Sequence, residues 1–215
     1  MKENNWYSVE NKANEVDLFV YNEIGIDGVT AADFVKDLRA TKGPVNLHIN
    51  SPGGSPFDAV TMLTALKQRD VTVYVDGLAA SAASVLAMAG KRRIMARHSM
   101  MMAHEAHGLE AGSADAMRKM ADLLDLLSNN IAGIYAEAAG GTAEEWRARM
   151  ATETWFSDQE AVDAGLATEI AADVLAPANE FDLSKFEHPP EQVIPEKHVD
   201  IDYRRLFEDA TESVL

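Results

Sequence analysis

No cysteine occurs anywhere in the 215 residues, and that absence removes a disulfide framework, a cysteine zinc site and a thiol nucleophile. Basic charge is scarce as well: 19 Lys and Arg stand against 35 Asp and Glu, for a formal net charge of −16. Such a chain repels phosphate backbones and acidic lipid surfaces, so nucleic acid and membrane are excluded as partners. Long apolar runs are missing too. The most apolar stretch, Val85 to Ala89 with its flanks, is too short and too rich in Gly and Ala to span a bilayer. The start, Met1 to Ser8, is polar and aromatic and lacks the apolar core of a signal peptide. These absences fit a cytoplasmic protein. No cofactor and no metal site are read from the sequence.

What is present is a globular composition, 47% hydrophobic and 25% charged, long enough for one domain with a sizeable core. Asp17 to Tyr21 reads as a strand. Thr30 with Asp33 three residues on reads as a capping box opening a helix through Phe34, Val35 and Leu38. Val45, Leu47 and Ile49 alternate with polar residues, a half-buried strand. The loop Asn50-Ser51-Pro52-Gly53-Gly54 follows, and Ser55 with Pro56 suits the start of a helix whose Ala59, Met62, Leu63 and Leu66 share a face. Val71, Val73 and Val75 predict another strand, with a turn at Gly77 into an Ala-rich helix ending near Gly90. A short strand is expected at Met100 to Ala103.

Ser113 can cap a long helix ending near Gly140, in which Met117, Met120, Leu124, Leu127, Ile131 and Ile134 form a heptad-like seam. That seam fits a core-facing helix and a subunit interface equally well. Thr142 with Glu145 and Ser157 with Glu160 predict two further capped helices, the second stopped at Gly165. Repeated strand and helix units predict an α/β domain over residues 1–176, with sites at the carboxyl ends of strands. Beyond Ala176 the composition changes: four of the seven prolines lie there, and acidic residues outnumber basic ones ten to four. Residues 177–215 read as an extended acidic tail, with a short helix at Tyr203 to Asp209.

Acyl transfer at neutral pH needs an activated nucleophile, a base, a group to orient that base, and donors for the oxyanion. Ser81, in Gly77-Leu78-Ala79-Ala80-Ser81-Ala82-Ala83-Ser84, follows a strand, opens a helix and has small residues on both sides. His104 ends the strand after Met100-Met101-Met102-Ala103, with His98 and His107 as nearby competitors. Gly53-Gly54 can expose backbone N–H groups without obstruction. Taken singly, each feature is as well explained by an N-cap serine, a structural histidine or an ordinary turn.

In order and spacing, Asn50-Ser51-Pro52-Gly53-Gly54, then Gly77-Leu78-Ala79-Ala80-Ser81, then Met102-Ala103-His104 resembles the proteolytic subunit of the Clp protease. Glu153-Thr154-Trp155-Phe156-Ser157 with Glu160-Ala161-Val162 and Gly165-Leu166 resembles that family's carboxyl-terminal stretch. The resemblance implies the ClpP/crotonase-like fold, a spiral of β-β-α units with a protruding long helix at Ser113 to Ala139. It implies a serine endopeptidase acting on polypeptides inside a ring of its own copies, a heptamer or stacked rings. By position Ser81 matches the nucleophile, His104 the base, and Gly54 and Ala82 the oxyanion-hole N–H groups. A base of this kind is expected to titrate near neutrality.

Two positions and one segment depart from the family. Its third triad residue is an aspartate, and Glu153 stands at the matching place, with Asp158 and a Ser–His dyad as alternatives. The proline two residues after the histidine is Ala106. The amino-terminal segment shows no match to the loops that gate the family's axial pore, which weakens the case for an AAA+ unfoldase partner. Trp155-Phe156, the short front and the acidic tail are similar to Clp-type proteases of tailed phages, which process capsid and scaffold proteins during head maturation. Two other readings stay open: a catalytically inactive ring or capsid-assembly subunit, and a crotonase-type acyl-CoA enzyme.

Overall fold

The computed structural model describes residues 7–11, 15–25, 28–171 and 183–190. The helix expected at Tyr203 to Asp209 lies outside them. A mixed eight-stranded sheet organises the chain. Strands β1 (Tyr7–Asn11) and β2 (Val16–Tyr21) form an antiparallel edge, and β3 (Val45–Ser51) and β4 (Val71–Ala80) continue from β2 in parallel. Val45, Leu47 and Ile49 of β3 point inward with no exposed surface, as the alternation predicts. Helix α1 (Ala31–Ala40) starts at Thr30, whose side chain accepts from the Asp33 N–H. Helix α2 (Pro56–Leu66) starts at Ser55 with Pro56 in its first turn. Both caps are placed as the sequence predicts.

Strand β4 departs from expectation and shapes everything that follows. Gly77 does not end it: the strand runs on through Leu78, Ala79 and Ala80, and helix α3 covers only Ala82–Ala87. The first half of β4 pairs with β5 (Arg92–Met95), itself joined to β8 (Glu169–Ile170), while the second half pairs with β6 (Met100–Ala103). The sheet therefore branches at Asp76-Gly77. Gly77 is needed there because a Cβ would meet Asn50 Oδ1 at 2.8 Å, and that same oxygen accepts the Leu78 N–H at 3.0 Å. Strand β7 (Thr154–Ser157) lies antiparallel on the other side of β6.

Helix α4 (Ala114–Ala139) begins at Ser113, and α5 (Ala143–Met150) and α6 (Asp158–Asp163) both carry complete capping boxes. The predicted seam of α4 divides in two. Ile131 is buried, together with Ala132 and Tyr135, whereas no residue from 114 to 127 is buried. Met117 is 51% exposed, and Leu123 and Leu126, beside the predicted stripe, are 41% and 59% exposed. Of the acidic tail, residues 183–190 pack against the body through Leu183 and Phe186, which join Leu78, Ala80 and Met102 in a small apolar cluster.

Candidate active site

Ser81 lies at the junction of β4 and α3 in a conformation that L-residues rarely adopt, φ 54° and ψ −125°. The strain is held from both sides. Its N–H continues the ladder to Met102 O at 3.0 Å, and its carbonyl accepts from the N–H and hydroxyl of Ser84 at 3.0 and 2.7 Å. Pinned in this way, the backbone turns the side chain out of the sheet and away from capping α3. Small neighbours permit the turn: a Cβ on Gly53 would come within 2.8 Å of Ser81 Cβ and 2.9 Å of Ala82 N.

Strand register brings the partners to this point. Ala80 faces Met102 across the parallel β4–β6 ladder, so His104 emerges just past Ser81 on the neighbouring strand. Across the antiparallel β6–β7 ladder Ala103 faces Thr154, and one step further the same register sets His104 opposite Glu153. His104 Nε2 lies 2.8 Å from Ser81 Oγ, while Nδ1 lies 3.7 Å from Glu153 Oε2. The first distance is a hydrogen bond and the second is an ion-pair separation only.

Burial, chiefly, lowers the pKa of His104 to about 4. His107, whose ring centroid is 4.8 Å away, and Lys185 add to the lowering, and Glu153 opposes it. The expectation of a group titrating near neutrality is corrected accordingly: an imidazole so desolvated resists taking a proton. Glu153 is buried, with φ 46°. Its Oε1 accepts from the Trp155 indole N–H at 3.2 Å and the His188 N–H at 2.6 Å, and its Oε2 accepts from the Glu187 N–H at 2.8 Å. Sequence reasoning missed the last two donors. Leu183 and Phe186, which anchor them, do not stand out in the sequence, since the tail also carries Phe181, Val193, Ile194, Leu206 and Phe207.

Gly53 and Gly54 both have positive φ, 94° and 136°. A Cβ on Gly54 would fall 2.1 Å from Ile24 O, so only glycine fits. Its neighbours make the bridge to Ile24: Ile24 N–H donates to Gly53 O and Ser55 N–H to Ile24 O, both at 2.7 Å. The N–H of Gly54 itself is thereby left facing the other way. Ala82 is the first residue of α3, where an N–H has no partner within the helix. Gly54, Ser81, Ala82 and His104 all line one small cavity of about 80 Å³.

The other candidates stand apart. Ser84 is fully buried and its hydroxyl is engaged by Ser81 O, Met102 O and Tyr135 Oη, each at 2.7 Å. Asp158 accepts the His98 N–H at 3.0 Å, which also occupies the exposed segment carrying His98. Ala106 donates its N–H to Ser128 Oγ at 2.9 Å, a bond that a proline could not make.

A hydroxyl hydrogen-bonded to a neutral imidazole, beside N–H groups with no helical or bridging partner, is equipped for nucleophilic acyl transfer. Comparison with known proteins agrees with that class. The Clp protease family model matches residues 1–174. ATP-dependent Clp protease proteolytic subunit 1 of Leifsonia xyli is 30% identical over 139 residues, 63% of this chain and 71% of its own. Subunit 1 of Chlamydia abortus is 34% identical over 152 residues, covering 64% and 77%. The proteolytic subunit of Chlorella vulgaris is 30% identical over 131 residues, and there the match spans 65% of the relative's length. The chain belongs to the Clp protease family, a family of serine-type peptidases.

Proposed function

We propose that the chain is a serine endopeptidase in which Ser81 is the nucleophile and His104 its general base. The observation that carries this reading is the 2.8 Å contact between Ser81 Oγ and His104 Nε2 at a strained strand-to-helix turn. The Ser81 O–H donates to Nε2. As Oγ attacks a peptide carbonyl carbon, its proton passes to Nε2 and the carbonyl oxygen gains charge facing the N–H groups of Gly54 and Ala82. His104 then gives the proton to the leaving amine, and water repeats the sequence to release the acyl group. Glu153 stabilises the imidazolium formed in between. Losing one oxyanion donor typically lowers the rate by about 10²–10³-fold.

The test is labelling with a fluorophosphonate followed by peptide mapping. Ser81 carries the label in the wild type, and Ser81→Ala abolishes labelling and peptide hydrolysis while leaving the fold intact. A label on Ser84 defeats the assignment. Turnover of a CoA thioester without labelling points instead to crotonase-type chemistry, and a folded but unlabelled ring points to an inactive subunit.

The 3.7 Å gap between His104 Nδ1 and Glu153 favours a second, narrower reading, a Ser–His dyad to which Glu153 contributes charge alone. Glu153→Gln separates the two. Loss of an orienting hydrogen bond costs kcat by about 10⁴-fold with KM spared, as in other triads, and loss of charge alone costs far less.

The exposed apolar residues of α4, Met117, Leu123 and Leu126, support assembly into a closed ring or stacked rings around an enclosed chamber. Trp155, Phe156 and the acidic tail support capsid or scaffold polypeptides as substrates. Incubation with scaffold-containing procapsids tests that assignment: defined scaffold fragments support it, and intact scaffold beside cleaved short peptides refutes it. The relatives are named as ATP-dependent, and protein hydrolysis compared with and without an added AAA+ unfoldase and nucleotide tests whether this chain shares that dependence.

A further inference from the structure

Among the described residues, the segment 183–190 is the one part of the acidic tail that touches the site, and it lies beyond the 174 residues that the family accounts for. It does not occupy the cavity beside Ser81, whose lining comes from the Gly54 loop, α3, the His104 loop and α4. It backs the site from the opposite side. Leu183 and Phe186 are 1% and 6% exposed, packed on β4 and β6 through Leu78, Ala80 and Met102. Phe186 sets its ring edge-on to His104 at 5.8 Å and to Trp155 at 5.5 Å. Lys185 pairs with Glu23 at 2.6 Å, a second anchor on the loop after β2. The chain then turns so that two successive backbone N–H groups, of Glu187 and His188, reach the two oxygens of Glu153 at 2.8 and 2.6 Å.

A carboxylate with a 4% exposed side chain needs such donors. Left without them, buried carboxylate oxygens lack the hydrogen bonds that water would otherwise give. Trp155 alone supplies one donor at 3.2 Å. Glutamate also carries one methylene more than the aspartate of the family, and its head must be fixed at the right distance from the imidazole. We propose that residues 183–190 are a positioning element for catalysis: the N–H groups of Glu187 and His188 hold the Glu153 carboxylate in place beside His104, and Phe186 closes the far side of the imidazole. This rests on the reading of Ser81 and His104 as nucleophile and base.

The groups facing His104 are Ser81 on Nε2, Glu153 near Nδ1, and His107 and Lys185 around the ring, with Glu105 and Glu187 lining the cavity of about 300 Å³ next to it. Glu153 raises the pKa of His104, while burial lowers it. The two halves of the segment therefore push in opposite directions. Removing the donors frees the Glu153 carboxylate to swing away from the imidazole and lowers the His104 pKa, whereas removing Phe186 admits water and raises it.

The experiment uses the full chain with ¹³C-labelled histidine and three variants. His188→Pro deletes the N–H, His188→Ala keeps it and controls for the side chain, and Phe186→Ala opens the ring face. The His104 pKa is read by NMR titration, independently of turnover, and kcat and KM are read with a peptide substrate. His188→Pro lowers kcat ten-fold or more with KM within two-fold and moves the His104 pKa downward. His188→Ala behaves as wild type, and Phe186→Ala raises the pKa by a unit or more. Adding His188→Pro to Glu153→Gln costs nothing further, because both act through one carboxylate. Wild-type kcat and pKa in His188→Pro, or shifts of the same sign in His188→Pro and Phe186→Ala, overturn the proposal. If His188→Pro prevents folding, the direction of the Phe186→Ala shift decides alone. Fluorophosphonate labelling of Ser81 in the unmodified chain tests the underlying reading separately.

Discussion

At Gly53 a methyl group would meet Ala80 O at 2.6 Å, Ser81 Cβ at 2.8 Å and Ala82 N at 2.9 Å, on a backbone with φ 94°. Two of those atoms are rigid main chain, so the neighbours cannot yield. Gly53→Ala is expected to cut peptidase activity by about 100-fold or more, the scale of a lost oxyanion donor, by pushing the Ser81 turn out of place. Gly133, inside α4, has nothing within 4 Å of a built Cβ. Gly133→Ala should stabilise the protein by up to about 1 kcal/mol, the difference in helix propensity. Urea melts of the two variants should shift in opposite directions.

His104 gives the residue scale its pH dependence. With a folded pKa of about 4 against an ordinary 6.5, it is already neutral, and competent as a base, well below neutrality. The rise of kcat/KM with pH should fall near 4 to 5, followed by a plateau through pH 7. Stability follows the same sign. Between 6.5 and 4 the unfolded chain binds a proton that the folded chain refuses, so folding weakens as pH falls through that window, by about 3 kcal/mol in total. Denaturation midpoints from pH 7 to pH 4 should show this loss in the wild type and a smaller one in His104→Ala.

Among the elements, legibility tracked local chemistry. Thr30, Ser55, Ser113, Thr142 and Ser157 each cap the helix that the sequence assigns to them, because a capping hydroxyl acts within three residues and needs nothing else. Strand β4 was half legible. Val71, Val73 and Val75 alternate, but Leu78-Ala79-Ala80 is buried on both faces and shows no period. Strand β5 carries the exposed Arg92 and the buried Arg93, whose guanidinium is consumed by the carbonyls of Gly90, Ala138, Gly165 and Leu166. Such a run reads as polar surface until those acceptors are in view. Ser81, His104, Gly54 and Ala82 could be named from the resemblance to the Clp family's motifs, and from no single residue pattern by itself. The donors to Glu153 could not, because a backbone N–H leaves no mark in a sequence.

Helix α4 is about 39 Å long at 1.5 Å per residue for its 26 residues, and no residue of its first half is buried within the described chain. Replacing Leu123 and Leu126 with Glu should dissolve the proposed ring in analytical ultracentrifugation while the helical content by circular dichroism stays unchanged. A single species of subunit mass in the unmodified protein would defeat the ring proposal outright.

At the scale of the molecule, each copy brings a formal charge of −16 to any assembly. Neighbouring copies repel one another over roughly 10 Å at 0.1 M salt and over about three times that distance at 0.01 M. Assembly should therefore tighten as salt is added across that range, a dependence opposite to that of a complex held by ion pairs. The branching of the sheet has one further bearing on the life of the protein. Ser81, His104 and Glu153 stand at one edge of three laddered strands, β4, β6 and β7, drawn from distant parts of the chain. Until those ladders have zipped, the serine is an ordinary alcohol and the histidine an ordinary base in water. On the proposed roles of these residues an emerging or unravelled copy is unarmed, and a protease crowded among its own copies would gain cutting power only in the folded form that those copies are least able to digest.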